Sequence, residues 1–86
     1  MSYELILSGK SEKALKKAPP EDRKRIVSAL FKLKENPWAM QYKKLRGHPF
    51  YRVRVGDWRI IYTVDDEAKI VYVVRLGKRE GVYDNL

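Results

Sequence analysis

The chain is 86 residues long, the length of one small domain. Nineteen Lys and Arg against eleven Asp and Glu leave a net charge of +8, which favours a polyanionic partner: nucleic acid, an acidic protein segment or an anionic membrane surface. The absence of cysteine excludes disulfide frameworks, thiolate zinc sites and a cysteine nucleophile.

Residues 3–7 are short and apolar-rich and predict a strand. The stretch carries Glu4 and no basic segment before it, so it does not read as a signal peptide. No apolar run is long enough to span a bilayer, so no membrane association is expected and the expected location is the cytoplasm. Ser8 and Ser11 are candidate N-caps for a first helix running to about Lys17, and Ala18-Pro19-Pro20 stops it. Pro20 suits the first turn of a second helix, with Glu21 and Asp22 placed well for its dipole. Ile26, Leu30 and Leu33 recur at helical spacing, Val27 and Phe31 widen the stripe, and Asn36-Pro37 ends the helix. The two helices are expected to form a hairpin across one face of a sheet.

From Phe50 the period changes to two. Tyr51, Val53 and Val55 alternate with Arg52 and Arg54, and Gly56-Asp57 is a two-residue turn signal of the Gly-X kind. Residues 58–64 predict a second strand of this group, Asp65-Asp66-Glu67 a polar turn, and residues 69–76 a third strand broken by Gly77. The tail from Lys78 onward is too short to classify, with a helical turn near its end one option. The expected class is α+β: one domain over residues 1–86, with an N-terminal strand, a two-helix hairpin, then a three-stranded antiparallel meander. Together the strands form a twisted sheet with the helices on one face.

If Gly56-Asp57 is the whole loop, Val55 lies opposite Trp58, Arg54 opposite Arg59 and Val53 opposite Ile60. Directly opposed residues share a face, so Arg52, Arg54 and Arg59 would collect on the face away from Val53, Val55, Trp58 and Ile60. Like charges directly opposed destabilise a sheet, and a bound anion would remove that penalty. Arginine presents a planar fork that matches phosphate oxygens. A different loop length would move Arg59 off this pairing, and the same residues also fit the solvent side of an amphipathic strand. Lys78, Arg79 and Tyr83 follow the last strand; Tyr83 can stack on a base or plug the domain. Lys43, Lys44 and Arg46 approach the same end of the meander and can contact phosphates, or form a solvated loop.

His48 is the only histidine, which rules out a two-histidine acid–base ribonuclease; between Gly47 and Pro49 it reads as a loop residue. Asp65, Asp66 and Glu67 read as a solvated hairpin end rather than a metal site. No Gly-rich phosphate loop or nucleophilic triad is present. An enzyme built on this chain would work with arginine, lysine and tyrosine. Such a set can cleave RNA, because the substrate supplies its own nucleophile in the ribose 2′-hydroxyl. The protein must orient that hydroxyl and neutralise charge on the phosphate.

Lys44-Leu45-Arg46-Gly47, Tyr51-Arg52-Val53-Arg54-Val55, Trp58-Arg59-Ile60-Ile61-Tyr62 and Gly77-Lys78-Arg79-Glu80 with Tyr83 behind it, in this order, resemble the RelE branch of the RelE/ParE toxin superfamily over nearly the whole chain. The resemblance implies cleavage of messenger RNA in the ribosomal A site without metal or cofactor. Arg52 and Arg54 match two basic positions, usually lysines, one of which is taken as general base. Arg59 matches the arginine that stabilises the phosphate, Arg79 the one that assists the leaving group, and Tyr83 the tyrosine that stacks on a base. The departure is at Arg52 and Arg54: lysine can be tuned down to act as a base, whereas the guanidinium of arginine cannot. His48 or a ribosomal RNA group are then the candidate bases.

The resemblance also implies a RelB-like antitoxin covering the basic face. Nothing in the chain looks like a helix-turn-helix, so direct DNA binding is not expected. The competing readings are a ParE-like protein inhibitor of DNA gyrase and an RNA-binding module on this fold with weakened catalysis.

Overall fold

The structure is a computed structural model and describes residues 2–78. The elements in order are β1 (Glu4–Leu7), α1 (Gly9–Lys17), α2 (Pro20–Glu35), β2 (Tyr42–Lys44), β3 (Tyr51–Val55), β4 (Trp58–Asp65) and β5 (Ile70–Lys78). The strands form one five-stranded sheet in the order β1-β5-β4-β3-β2. The pairings are antiparallel except between β1 and β5, which run parallel.

The helices begin and end where the local chemistry dictates. Ser8 caps α1, its Oγ accepting from the Ser11 backbone N–H at 3.1 Å. Pro20 opens α2, where a missing N–H costs nothing. Arg23 of α2 ties the two helices into their hairpin. Its Nε donates to Leu15 O at 3.1 Å, and its Nη2 donates to Lys16 O and Ala18 O at 2.8 and 2.9 Å. Leu15 O also accepts from the Ala18 backbone N–H at 3.2 Å, and all three carbonyls lie at the helix C-terminus, where the helix dipole also favours a cation.

One face of the sheet is covered by the helices. Ile26, Ala29, Leu30 and Leu33 of α2 pack against Val53, Trp58, Ile60, Tyr62, Val71, Val73 and Leu76. Phe31, expected to widen the helical stripe, stays 62% exposed, because it lies one residue beyond the buried Ile26–Leu30–Leu33 line. A satellite of aromatic rings closes the end beneath β2. Trp38, Tyr42 and Tyr51 meet edge to face at centroid distances of 4.9–5.6 Å, and Tyr51 also meets Tyr62 at 5.9 Å. The Tyr62 hydroxyl donates to Pro37 O at 2.9 Å, and burial pushes its pKa upward.

Two expectations need correcting. A further strand, β2, is present where a basic loop was expected. It is three residues long and wholly exposed, so it carries no alternation for sequence reading to detect. Gly77 also does not break β5: it pairs with Arg59, and the strand continues to Lys78 opposite Trp58. The tail, left unclassified with a helical turn as one option, lies outside the described residues from Arg79 onward. Among the described residues no helix is long and apolar enough to cross a membrane.

Candidate nucleic-acid interface

The β3–β4 hairpin turns at Gly56-Asp57, with Gly56 at φ +60°. A positive φ at the first central residue is the position where glycine is required in a Gly-X hairpin turn. A Cβ there would also approach Arg25 Nη1 to 3.3 Å. The two-residue loop fixes the register: Val55 opposite Trp58, Arg54 opposite Arg59, Val53 opposite Ile60, Arg52 opposite Ile61. Val53, Trp58 and Ile60 are buried under the helices, so Arg52, Arg54 and Arg59 share the opposite face.

Strand β2 adds to that face. Lys43 pairs with Arg52 and so points the same way. Beside them lies a recess of about 410 Å³ lined by Met40, Gln41, Tyr42, Lys43, Arg52 and Arg54. On the β5 side, Arg75 pairs with Ile61 and Gly77 with Arg59. Two rows therefore cross the sheet: Lys43–Arg52–Ile61–Arg75 and, next to it, Arg54–Arg59–Gly77. Arg75 carries no period-two signal that would place it here.

The guanidinium of Arg59 is steadied by its own turn, Nη1 donating to Asp57 O at 3.3 Å. Among the described residues no carboxylate forms an ion pair with any arginine of this face; the two ion pairs, Lys16–Glu12 and Arg25–Asp22, belong to the helices. A set of cations gathered on one face, with no counter-charge among the described residues, sets up a field that attracts anions.

The remaining candidate residues go elsewhere. Lys44 pairs with Tyr51 and takes the helix-side face of the edge strand. Lys78 pairs with Trp58, and its ammonium sits 5.7 Å from the centre of that ring, again on the helix side. Trp58 Nε1 donates to Asp22 Oδ2 at 3.1 Å, while Arg25 Nη2 donates to Oδ1 at 2.9 Å. Arg25 first and Trp58 second hold the Asp22 carboxyl below its ordinary pKa.

Arg46 is exposed in the turn after β2. His48, in the same turn, stacks on Phe50 at 5.9 Å. Arg79 and Tyr83 lie outside the described residues. In the acidic turn Asp65 Oδ1 accepts from the Ala68 N–H at 3.0 Å, and Asp66 Oδ1 accepts from the Tyr3 hydroxyl at 2.7 Å. Among the described residues no group of three or more His, Asp or Glu converges as a metal site would.

The model of the family described as the ParE toxin of type II toxin-antitoxin system, parDE, matches residues 5–83. The chain is 32% identical to a Methanocaldococcus jannaschii toxin named RelE1, with 99% of each chain covered. It is 31% identical to the mRNA interferase toxin RelE of Escherichia coli, over 93% of this chain and 86% of that one. Among solved structures, the RelBE2 toxin–antitoxin complex of Mycobacterium tuberculosis superposes with a TM-score of 0.81 at 27% identity, covering 92% of this chain and all of that one. The archaeal RelE–RelB complex of Pyrococcus horikoshii gives 0.79 at 28% identity, covering 93% and 98%.

Proposed function

The chain belongs to the RelE/ParE superfamily of type II toxin–antitoxin toxins, and from that membership we propose that it is an mRNA interferase that cleaves messenger RNA in the ribosomal A site. The observation that carries this reading is the direct cross-strand pair Arg54–Arg59, flanked by Arg52 and Lys43 on the same face, the one turned away from the helices. A protein inhibitor has no need of this repulsive arrangement, whereas a phosphodiester offsets it.

In the proposed reaction the ribose 2′-hydroxyl attacks the adjacent phosphorus. The P–O5′ bond breaks and the departing 5′-oxygen takes up a proton from water, leaving a 2′,3′-cyclic phosphate and a 5′-hydroxyl. Arg59, steadied by the Asp57 carbonyl, neutralises the charge growing on the phosphoryl oxygens. Arg52 and Arg54 hold the same phosphate and orient it for in-line attack. None of the three accepts the 2′-hydroxyl proton near neutral pH. That proton goes to a group outside the arginine set, His48 or a base of the ribosome. Arg79 assisting the leaving group and Tyr83 stacking on a base rest on the family resemblance alone. Lys43 and Arg46 extend the phosphate contacts, while Lys44 and Lys78 take a lesser part because their register turns them to the other face.

The partner is a RelB-type antitoxin, as in the solved relatives whose complexes are named for RelE and RelB. Its acidic or amphipathic segment would cover the arginine face and exclude RNA. Action on translating ribosomes places the protein in the cytoplasm.

The test is cleavage of a defined messenger RNA on programmed ribosomes with an empty A site, mapped by primer extension. Cuts confined to the A-site codon, absent on free RNA and lost with Arg59→Ala and Arg79→Ala, establish the activity. The second reading, inhibition of DNA gyrase, is favoured by the ParE description of the matching family model. It would be supported instead by intact RNA together with blocked supercoiling in a gyrase assay.

A further inference from the structure

We propose that Arg75 forms a second phosphate site on the same face, gripping a phosphodiester next to the one that is cut, so that the RNA backbone crosses the sheet from β3 to β5. This deepens the RNA reading above and rests on it.

Strict alternation along β5 would send Arg75 the other way. Val71 and Val73 are buried under the helices, and a residue two further on would follow them. The register slips between Ile61 and Tyr62: Tyr62 pairs with Val73 but Ile61 pairs with Arg75, leaving Val74 unpaired. This β-bulge inverts the alternation. Leu76 enters the core opposite Ile60, and Arg75 turns to the arginine face opposite Ile61. Re-aiming a side chain beside a functional site is a recurrent use of bulges.

The bulge does not need Arg75 to hold its shape. Val73 O accepts from the Ser8 N–H at 2.9 Å and from Ser11 Oγ at 3.2 Å. Val74 O lies 3.0 Å from Ser8 Oγ on the α1 side. Arg75 Nη1 donates to the same Val74 carbonyl at 2.9 Å. A guanidinium has five N–H donors, so this bond, the one Arg75 makes among the described residues, fixes the fork at β5 with donors to spare for a ligand. Among the described residues no carboxylate pairs with it.

The spacing separates this site from the first. Two inter-strand steps put the Arg52 and Arg75 backbones roughly 10 Å apart, with the buried, uncharged Ile61 between them. Arg75 is tied to its own strand and so does not converge on the phosphate held by Arg52, Arg54 and Arg59. A polymer whose charges repeat along its backbone meets both sites at once. A lone anion meets only one.

The test uses the full chain on programmed ribosomes in single turnover. Messenger RNAs carry one neutral methylphosphonate linkage at successive positions around the cut, each on a 2′-deoxy sugar so that the linkage itself is inert. Matched 2′-deoxy phosphate RNAs serve as reference. At one linkage neighbouring the cut, the wild type is expected to slow by on the order of ten-fold, the scale of one charge-assisted hydrogen bond. Arg75→Gln should slow to a similar degree on all-phosphate RNA and lose nothing further at that linkage. Arg75→Lys, which keeps the charge, should keep the sensitivity even if Arg75→Gln is poorly folded.

The proposal is overturned if Arg75→Gln cuts like the wild type, or if both variants show the wild-type response to every neutral linkage. A wild type that cuts the unmodified RNA separates that failure from failure of the RNA reading. A wild type that cuts nothing removes both.

Discussion

Arg54 and Arg59 stand directly opposite each other across the β3–β4 hairpin, two cations in register on the sheet face away from the helices. Opposed like charges cost a sheet roughly 0.2–1 kcal/mol. Arg59→Ala is therefore expected to leave the fold as stable as the wild type or slightly more so, while cleavage on ribosomes falls by about 10²–10³-fold, the scale of losing a preorganised charge-stabilising donor. Thermal unfolding and single-turnover cleavage on the same preparation check both halves. A parallel loss of stability and activity would mean that Arg59 serves the fold.

Lys43 and Lys44 are neighbours in sequence but face opposite sides of β2. Lys43→Ala is expected to lower the salt dependence of single-stranded RNA binding by about 0.7 in the log–log slope, the value for one phosphate contact. Lys44→Ala should leave the slope nearly unchanged. Fluorescence anisotropy at several salt concentrations, with a non-cleavable oligonucleotide, measures both. Equal effects would show that the three-residue strand does not impose its alternation on the two side chains.

Ser8 caps α1 and also reaches the Val74 carbonyl of the bulge. Ser8→Ala is expected to cost about 1 kcal/mol of stability, the usual loss of an N-cap. Chemical denaturation gives the number. Because Ser8 braces the strand that carries Arg75, cleavage should also fall several-fold at temperatures where the variant is still fully folded.

Asp22 joins the start of α2 to the hairpin through Arg25 and the Trp58 indole, and those two hydrogen bonds depress its pKa. A depressed folded-state pKa means that the unfolded chain takes up the proton first as pH falls. The stabilisation is complete above the ordinary carboxyl value of 3.8 and is lost as pH drops through the lower folded value. Asp22→Asn is expected to melt earlier than the wild type at neutral pH, with the gap closing in acid. Melting curves from neutral pH into the acid range show whether it does. A gap that stays constant would mean that the carboxylate charge contributes nothing.

The sequence by itself determined the parts governed by short-range chemistry. Ser8, Pro20 and Asn36-Pro37 mark the helix ends, and Gly56-Asp57 sets a two-residue turn. That turn decides which side chains oppose one another, and so the shared face of Arg52, Arg54 and Arg59 follows from local spacing alone.

Only the tertiary structure decided the rest. Residues 42–44 become a strand because β3 offers them an edge to pair with, although nothing in Tyr-Lys-Lys alternates. The parallel docking of β1 on β5 joins residues more than sixty positions apart. The bulge at Val74 turns Arg75 outward and Leu76 inward, and the continuation of β5 through Gly77 carries Lys78 onto Trp58. Each of these depends on a partner distant in sequence. A period-two pattern records only which way a regular strand would face, and one unpaired residue, its carbonyl held by Ser8 and its neighbour's by Ser11, reverses it.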